Sequence, residues 1–223
     1  MTDAVELFSA QVCPYAHRAR LTLAEKGVSF TLTEIDLADK SRRFLEISPY
    51  GKVPVLVHKG QAIYESAIVN EYLNDAFRSP ALLPADPFER ARARIWIDYF
   101  DNKFLDLYYK TLMNMDRSRD AEYREKVETG FRVIETEGLG KLSGDGPYWL
   151  GSDLSLVDIA YYPFFERLPA WTHHRGIQVP DDCPRLQTWL GIMRDRPSVR
   201  EIANSPAFYI EQYKGYAGVE DAA

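Results

Sequence analysis

The stretch Val5-Glu6-Leu7-Phe8-Ser9-Ala10-Gln11-Val12-Cys13-Pro14-Tyr15-Ala16-His17-Arg18 reads as a strand, a short loop and a helix whose first turn holds a cysteine. A thiol at a helix N-terminus meets the positive end of the helix dipole and the unpaired N–H groups of the first turn. Both favour the thiolate over the thiol. Pro14 suits a helix start, where its missing N–H costs little. A dithiol redox protein would carry a second cysteine three residues after the first; here that residue is Ala16. Cys13 has no resolving partner nearby in the chain, so redox chemistry at its sulfur needs a thiol from a separate molecule.

Outward from this stretch the pattern continues as alternating strands and helices. Val5–Ser9 is strand-like, and Pro14–Lys26 carries apolar residues at helical spacing and stops at Gly27. Ser29–Ile35 alternates as a strand, Ser41–Ile47 is a short helix, and Val53–His58 with Ala62–Tyr64 flanks the hairpin signal Lys59-Gly60-Gln61. Glu65–Phe77 is a helix with Ile68, Val69, Tyr72 and Leu73 on one face. The order βαβ-α-ββα resembles a thioredoxin-like α/β domain with a mixed four-stranded sheet, over residues 1–78. The proline-rich run Ser79-Pro80-Ala81-Leu82-Leu83-Pro84-Ala85-Asp86-Pro87 reads as a linker over 79–88. Beyond it strand signals vanish. Phe88–Asn114, Ala121–Leu139 (broken by Gly138 and Gly140), Ser155–Leu168, Pro184–Arg194 and Ser198–Ala203 read as helices. His173-His174 fall in a loop, and Tyr209, Tyr213 and Tyr216 in a tail. The second domain, 89–223, is therefore expected to be all-helical.

Composition narrows the function. A net charge of −6, with no Lys/Arg-rich run, argues against a nucleic-acid partner. No apolar stretch approaches the roughly 20 residues that span a bilayer. Met1-Thr2-Asp3-Ala4 lacks the basic and apolar segments of a secretory signal. Two distant cysteines in 223 residues point to no disulfide framework and to a reducing cytoplasm. Cys13, Cys183 and the histidines His17, His58, His173 and His174 show no metal-ligand spacing, so no metal is expected.

Three further features form a constellation with Cys13. Pro54 lies between a loop and a strand, where a cis Val53-Pro54 bond would turn the Val53 backbone outward to pair with an extended peptide. Ser66 can cap the helix that follows it, leaving N–H groups for a bound carboxylate, while Glu65 accepts from an ammonium. One carboxylate and one ammonium on neighbouring atoms describe the end of a γ-glutamyl group. Lys40 and Lys52, in loops, can meet a second carboxylate. A short zwitterionic peptide with its sulfur near Cys13 fits the set, and glutathione is such a peptide.

The same residues resemble the cytosolic glutathione transferases, most closely their omega class. The likeness runs through Cys13-Pro14-Tyr15-Ala16-His17-Arg18, Pro49-Tyr50-Gly51-Lys52-Val53-Pro54-Val55-Leu56, Ile63-Tyr64-Glu65-Ser66-Ala67-Ile68, Leu82-Leu83-Pro84-Ala85-Asp86-Pro87 and Tyr162-Pro163-Phe164-Phe165-Glu166-Arg167-Leu168. The resemblance implies that Cys13 is catalytic and that Lys40, Val53, Glu65 and Ser66 contact glutathione, the co-substrate. It also implies a homodimer. Lys52 departs from the omega pattern, which usually has an apolar residue there. His17 departs too, and is similar to the segment of the glutathionyl-hydroquinone reductases. Ser155-Leu156-Val157-Asp158 is a capping box and reads as a folding element.

Each feature also has a plain structural reading. A lone cysteine is commonly a small buried hydrophobe, which is how Cys183 reads. Lys40 and Lys52 could be solvated lysines, His17 a helix-surface or interface residue, and Glu65-Ser66 only a helix start. The aromatic residues of the helical domain are mostly core by pattern. Tyr15, Tyr109, Tyr162 and Phe165 are expected to line the substrate pocket on the family architecture. The function expected is glutathione-dependent thiol transfer or reduction of a small electrophilic or disulfide substrate, such as dehydroascorbate or an S-glutathionyl compound. Reductive deglutathionylation of aromatic or quinone conjugates, and a non-catalytic binding or regulatory role on the same fold, stay as alternatives.

Overall fold

The computed structural model describes residues 4–219, which fall into two compact units, one ending at Leu83 and the other beginning at Pro84. In the first unit the elements run β1 (Val5–Ser9), α1 (Pro14–Lys26), β2 (Thr31–Glu34), α2 (Arg42–Ile47), β3 (Val55–His58), β4 (Gln61–Tyr64) and α3 (Ser66–Ala76). The sheet order is β2-β1-β3-β4, with β1 parallel to β2 and antiparallel to β3, and β3 and β4 paired as a hairpin. The result is a thioredoxin-like mixed sheet, as the pattern predicts. Period-two alternation sorts the strand side chains. Val5, Leu7 and Leu56 face Ala19 and Leu23 of α1 and Val69 and Leu73 of α3. Phe8 and Val55 face the other way and meet Phe44 of α2. α1 ends where expected because Gly27 takes φ 61, and the N–H groups of Gly27 and Val28 close onto Ala24 and Leu23.

The strand predicted over Ser29–Ile35 shrinks to Thr31–Glu34 on the sheet edge, where only one neighbour pairs with it. The linker is shorter than 79–88. Lys26, buried on α1, donates from Nζ to Asn74 at 3.0 Å and to the Pro80 carbonyl, tying the first half of the linker to its own unit. Asp86 then caps a helix that already begins at Pro87.

The second unit is helical: α4 (Pro87–Tyr99), α5 (Leu105–Leu112), α6 (Asp120–Val133), α7 (Gly140–Leu142), α8 (Leu156–Phe165), α9 (Leu168–Arg175), α10 (Pro184–Asp195), α11 (Pro197–Ile202) and α12 (Pro206–Tyr213). The long helix expected over Phe88–Asn114 is interrupted by a π-helical turn at Phe100–Phe104, and a second π segment, Ile134–Leu139, joins α6 to α7. Gly138 and Gly140 therefore do not stop the helix. A Cβ on Gly138 would sit 2.6 Å from the Trp149 ring, so the glycine serves close packing. His173 and His174 lie on α9, not in a loop, and His174 Nε2 is 2.9 Å from the Ile210 carbonyl oxygen. Tyr209 and Tyr213 are buried on α12 rather than in a tail.

Asp158 organises one end of this unit. It is fully buried, and its carboxylate accepts from the Ser155 N–H (2.8 Å), the Ser155 hydroxyl (2.6 Å), the Trp149 N–H (3.0 Å) and Trp189 Nε1 (2.8 Å). Burial holds its carboxyl above the usual range against the pull of these donors. Replacing Asp158 by Ala orphans several buried donors and is expected to cost at least about 3 kcal/mol of unfolding free energy, whereas Asp158→Asn, which keeps one acceptor oxygen, costs less. Urea denaturation of the three proteins checks the order.

Candidate active site

The β1–α1 connection presents Cys13. Its N–H closes a turn onto the Ala10 carbonyl (2.9 Å), and its own carbonyl accepts the His17 N–H (3.0 Å), the first bond of α1. Cys13 is thus the N-cap, with Pro14 in the first turn, and its side chain makes no capping bond. The residue is half-buried, and Sγ lies 3.8 Å from the Val53 carbonyl oxygen. Val53 and Pro54 are both buried, and the peptide between them is cis. The Val53 carbonyl, expected to meet a bound peptide, is thus within reach of the thiol itself.

At the head of α3 the arrangement differs from a serine cap. Glu65, exposed, is the N-cap residue; Ser66 is the first residue of the helix and 6% exposed. Glu65 has φ 68 and ψ 114, a backbone region that favours glycine. Ser66 Oγ accepts from Arg18 Nη1 at 3.3 Å. Arg18, five residues beyond Cys13 on α1, is 1% exposed, and its guanidinium lies 5.3 Å over the Tyr15 ring. Because Arg18 occupies a lone pair of Oγ, the Ser66 proton is directed elsewhere, which suits an anion at the α3 N-terminus. Arg18 was visible only as part of the Cys13 segment. Its place between Ala16 and Ala19, apolar residues at helical spacing, was the signal that could have marked it.

Lys40 and the Gly51-Lys52 turn come together. Lys40 is half-buried, and its Nζ is 3.8 Å from where a Cβ on Gly51 would stand. Buried Ser48 fixes the turn, accepting the Lys52 N–H and donating to the Lys52 carbonyl, both at 2.9 Å. The Lys52 side chain itself is exposed.

Several expectations change. His17 is fully buried, not a surface residue. Tyr15, beside the cysteine, is 37% exposed. In the helical unit Tyr109 is half-buried, edge-on to Trp171. Tyr162 and Phe165 are 4% and 5% exposed: Tyr162 packs on Trp189, and Phe165 on Phe131 and Trp189. They belong to the core and not to a wall open to substrate. Burial pushes the Tyr162 phenol up. Cys183 is buried, and burial pushes its thiol up to about 11, so it is the inert cysteine of the pair. Among the described residues no His/Cys/Asp/Glu group could hold a metal ion, and no helix is long and apolar enough to cross a membrane.

The Glu65 backbone generates a separable expectation. Glu65→Gly removes a strain of about 1–3 kcal/mol and adds about 0.5–1 kcal/mol of glycine's chain entropy, so the variant is as stable as the parent or up to about 2 kcal/mol more so. If Glu65 holds an ammonium, the same change weakens glutathione binding. Calorimetry on one preparation reads both.

Comparison with known proteins identifies the family. The family model described as "Glutathione S-transferase, N-terminal domain" matches residues 12–76, and that described as "Glutathione S-transferase, C-terminal domain" matches residues 103–191. Glutathione S-transferase U19 of Arabidopsis thaliana is 32% identical over 209 residues, 92% of each chain. Glutathione S-transferase omega-1 of Sus scrofa is 33% identical over 203 residues, 91% of this chain and 81% of that one. The crystal structure of rice GST1 (OsGSTU1) in complex with glutathione superposes with a TM-score of 0.88 at 29% identity, covering 100% of both chains. Plant Tau-class enzymes are numerous among the relatives and omega-class enzymes are present. Two matched domains in the expected order, on a thioredoxin-like sheet followed by a helical unit, make this chain a member of the glutathione S-transferase family.

Proposed function

We propose that the chain is a glutathione-dependent thiol transferase or reductase with Cys13 as the nucleophile. The observation that carries this reading is a cysteine, not a hydroxyl residue, at the N-cap of α1 in the unit matched by the glutathione transferase N-terminal domain. In the first step the Cys13 thiolate attacks the glutathionyl sulfur of a mixed disulfide. The Cys13–S–S–glutathione bond forms, and the substrate leaves as its thiolate. In the second step a glutathione thiolate attacks that bond, releases Cys13 and departs as glutathione disulfide, so the oxidising equivalent leaves with glutathione. S-glutathionyl compounds are attacked at the same sulfur. Dehydroascorbate, which has none, takes another route, in which Cys13 adds to a carbonyl carbon and a glutathione thiolate attacks the Cys13 sulfur and expels ascorbate. A second glutathione then resolves the Cys13 disulfide and leaves as glutathione disulfide.

In this reading Glu65 and Ser66 hold the γ-glutamyl end. Lys40 and Lys52 face the glycyl carboxylate, and the Val53-Pro54 backbone aligns the middle of the tripeptide. Tyr15 offers an exposed ring beside the sulfur, and Tyr109 is the remaining pocket candidate of the helical unit. A reducing cytoplasm suits a nucleophile of this kind. The deglutathionylation of aromatic conjugates leaned on His17 and the helical tyrosines. With His17, Tyr162 and Phe165 buried, it loses that support.

Incubation with oxidised glutathione followed by intact mass spectrometry tests the core of the reading. One glutathione adduct is expected on the wild type and none on Cys13→Ala, with thiol-transferase activity falling at least about a hundredfold in the variant. Thiol-transferase activity retained by Cys13→Ala would sink the proposal.

The same reading includes a homodimer. Phe88 and Ile95, seven residues apart on α4, are 70% and 63% exposed, and Tyr50 and Ile68 of the first unit are 63% and 58% exposed. Large apolar side chains left this open are what a subunit contact covers. Light scattering on the purified chain is expected to give twice the monomer mass, and Phe88→Glu with Ile95→Glu to give the monomer. A monomeric wild type at tens of micromolar would exclude the pairing.

A further inference from the structure

We infer that Arg20 is a positioning residue for Cys13, holding the turn that sets the sulfur at the head of α1. The inference rests on the proposed role of Cys13 as nucleophile and adds a residue to it. Arg20 is 6% exposed and lies seven residues, two helical turns, beyond Cys13 on the same face of α1. Helical side chains lean toward the N-terminus, so its long stem runs back under the first turn. There the guanidinium takes hold of the connection between β1 and α1. Nη1 donates to Ser9 Oγ (2.5 Å) and to the Ala10 carbonyl (3.3 Å), and Nη2 donates to the Gln11 carbonyl (3.3 Å).

These bonds fall on three consecutive residues of the run that leads into the cysteine. The Ala10 carbonyl has a double duty: it accepts Arg20 and also the Cys13 N–H at 2.9 Å. The atom that closes the turn on Cys13 is thus the atom Arg20 pins. Ser9, the last residue of β1, is fully buried, so the guanidinium anchors the turn to the sheet. A planar fork with five donors can span three acceptors at once; an ammonium cannot hold the same three in one plane. No capping bond ties the Cys13 side chain to its helix. Sγ lies 3.8 Å from the Val53 carbonyl oxygen, and the backbone that carries it is set by the turn before it, and through that turn by Arg20.

The test compares wild type, Arg20→Met and Arg20→Lys, with the second cysteine as an internal reference. Iodoacetamide labelling at one pH, followed by peptide mass spectrometry, reads Cys13 and Cys183 in the same sample without glutathione or substrate. Arg20→Met is expected to slow labelling of Cys13 about tenfold or more through misplacement of the sulfur, with Arg20→Lys in between. Cys183, buried in the other unit, is expected to stay unlabelled in all three. With the mixed disulfide of glutathione and cysteine as substrate, kcat falls in the same order, while KM for glutathione stays within about twofold because Glu65 and Ser66 are untouched.

A Cys13 labelling rate within twofold of wild type, or faster, overturns the inference. So does a rise in Cys183 labelling in step with the loss at Cys13, which marks general loosening. Should Arg20→Met fail to fold, Ser9→Ala removes only the 2.5 Å bond and is expected to slow Cys13 labelling by about threefold; no slowing there refutes the inference equally. An absent glutathione adduct on wild-type Cys13 would instead refute the thiol-transferase reading and leave the labelling comparison intact.

Discussion

Two helix N-termini in the first unit go without a side-chain cap, and the candidate chemistry depends on that. Elsewhere capping is common: Ser41, Asp86, Ser155 and Ser205 each accept an N–H from their own helix. Such caps stabilise a helix by about 1 kcal/mol. α10 receives its cap from a distance, Glu135 accepting the Arg185 and Leu186 N–H groups at 3.1 and 2.8 Å. α9 and α11 also lack side-chain caps, so a missing cap is not by itself a site. At α1 and α3 the N-cap residues are Cys13 and Glu65, and neither side chain bonds its helix. Neither helix start is closed by its own N-cap side chain, and the two residues concerned are those to which the proposal assigns the thiol and the γ-glutamyl end of the tripeptide. Foregone capping and the positive φ at Glu65 both lower stability locally, and both fall on the residues to which the proposal assigns work.

Such openings are useful only on a rigid frame, and buried polar side chains supply it. α1 encloses Arg18, Arg20 and Lys26, each 7% exposed or less. Burying cations costs several kcal/mol apiece unless every donor finds an acceptor. Arg18 donates to Ser66, Arg20 to the turn before Cys13, and Lys26 to Asn74 and the linker carbonyl. One helix is thus bonded to the head of α3, to the end of β1 and to the start of the linker. Ser48 does the same for the Gly51-Lys52 turn with a single hydroxyl.

The same chemistry explains what could be read from the sequence. The α/β order, the extent of α1, the cis proline and the capping box at Ser155 rest on local signals: alternation, a glycine stop, a proline after a loop, a serine three residues before an acid. All four are seen in the structure. What failed depends on partners distant in the chain. Gly138 looked like a helix breaker because the Trp149 ring that occupies its missing Cβ is eleven residues away. His17 looked exposed because α1 is buried on more than one face, which a single-stripe periodicity does not anticipate. Tyr162 and Phe165 looked available because a phenol or a phenyl ring reads alike in a pocket and in a core. Arg18 and Arg20 passed unremarked because arginine is ordinarily a surface residue.

Relatives with mixed class names leave the reaction to be argued from the site. A hydroxyl residue before α1 can donate to a glutathione thiolate and remain unchanged while that thiolate attacks a carbon electrophile. A thiol in the same place has a second course, since it is itself a nucleophile and forms a disulfide with glutathione whenever an oxidising equivalent is present. With Ala16 where a resolving cysteine would sit, and with Cys183 buried in the other unit, no described residue of this chain is placed to remove that disulfide. Glutathione, already the family's co-substrate, is then the natural resolving thiol. On the proposed reading, sulfur in place of a hydroxyl oxygen at the N-cap of α1 is what would favour thiol exchange over conjugation.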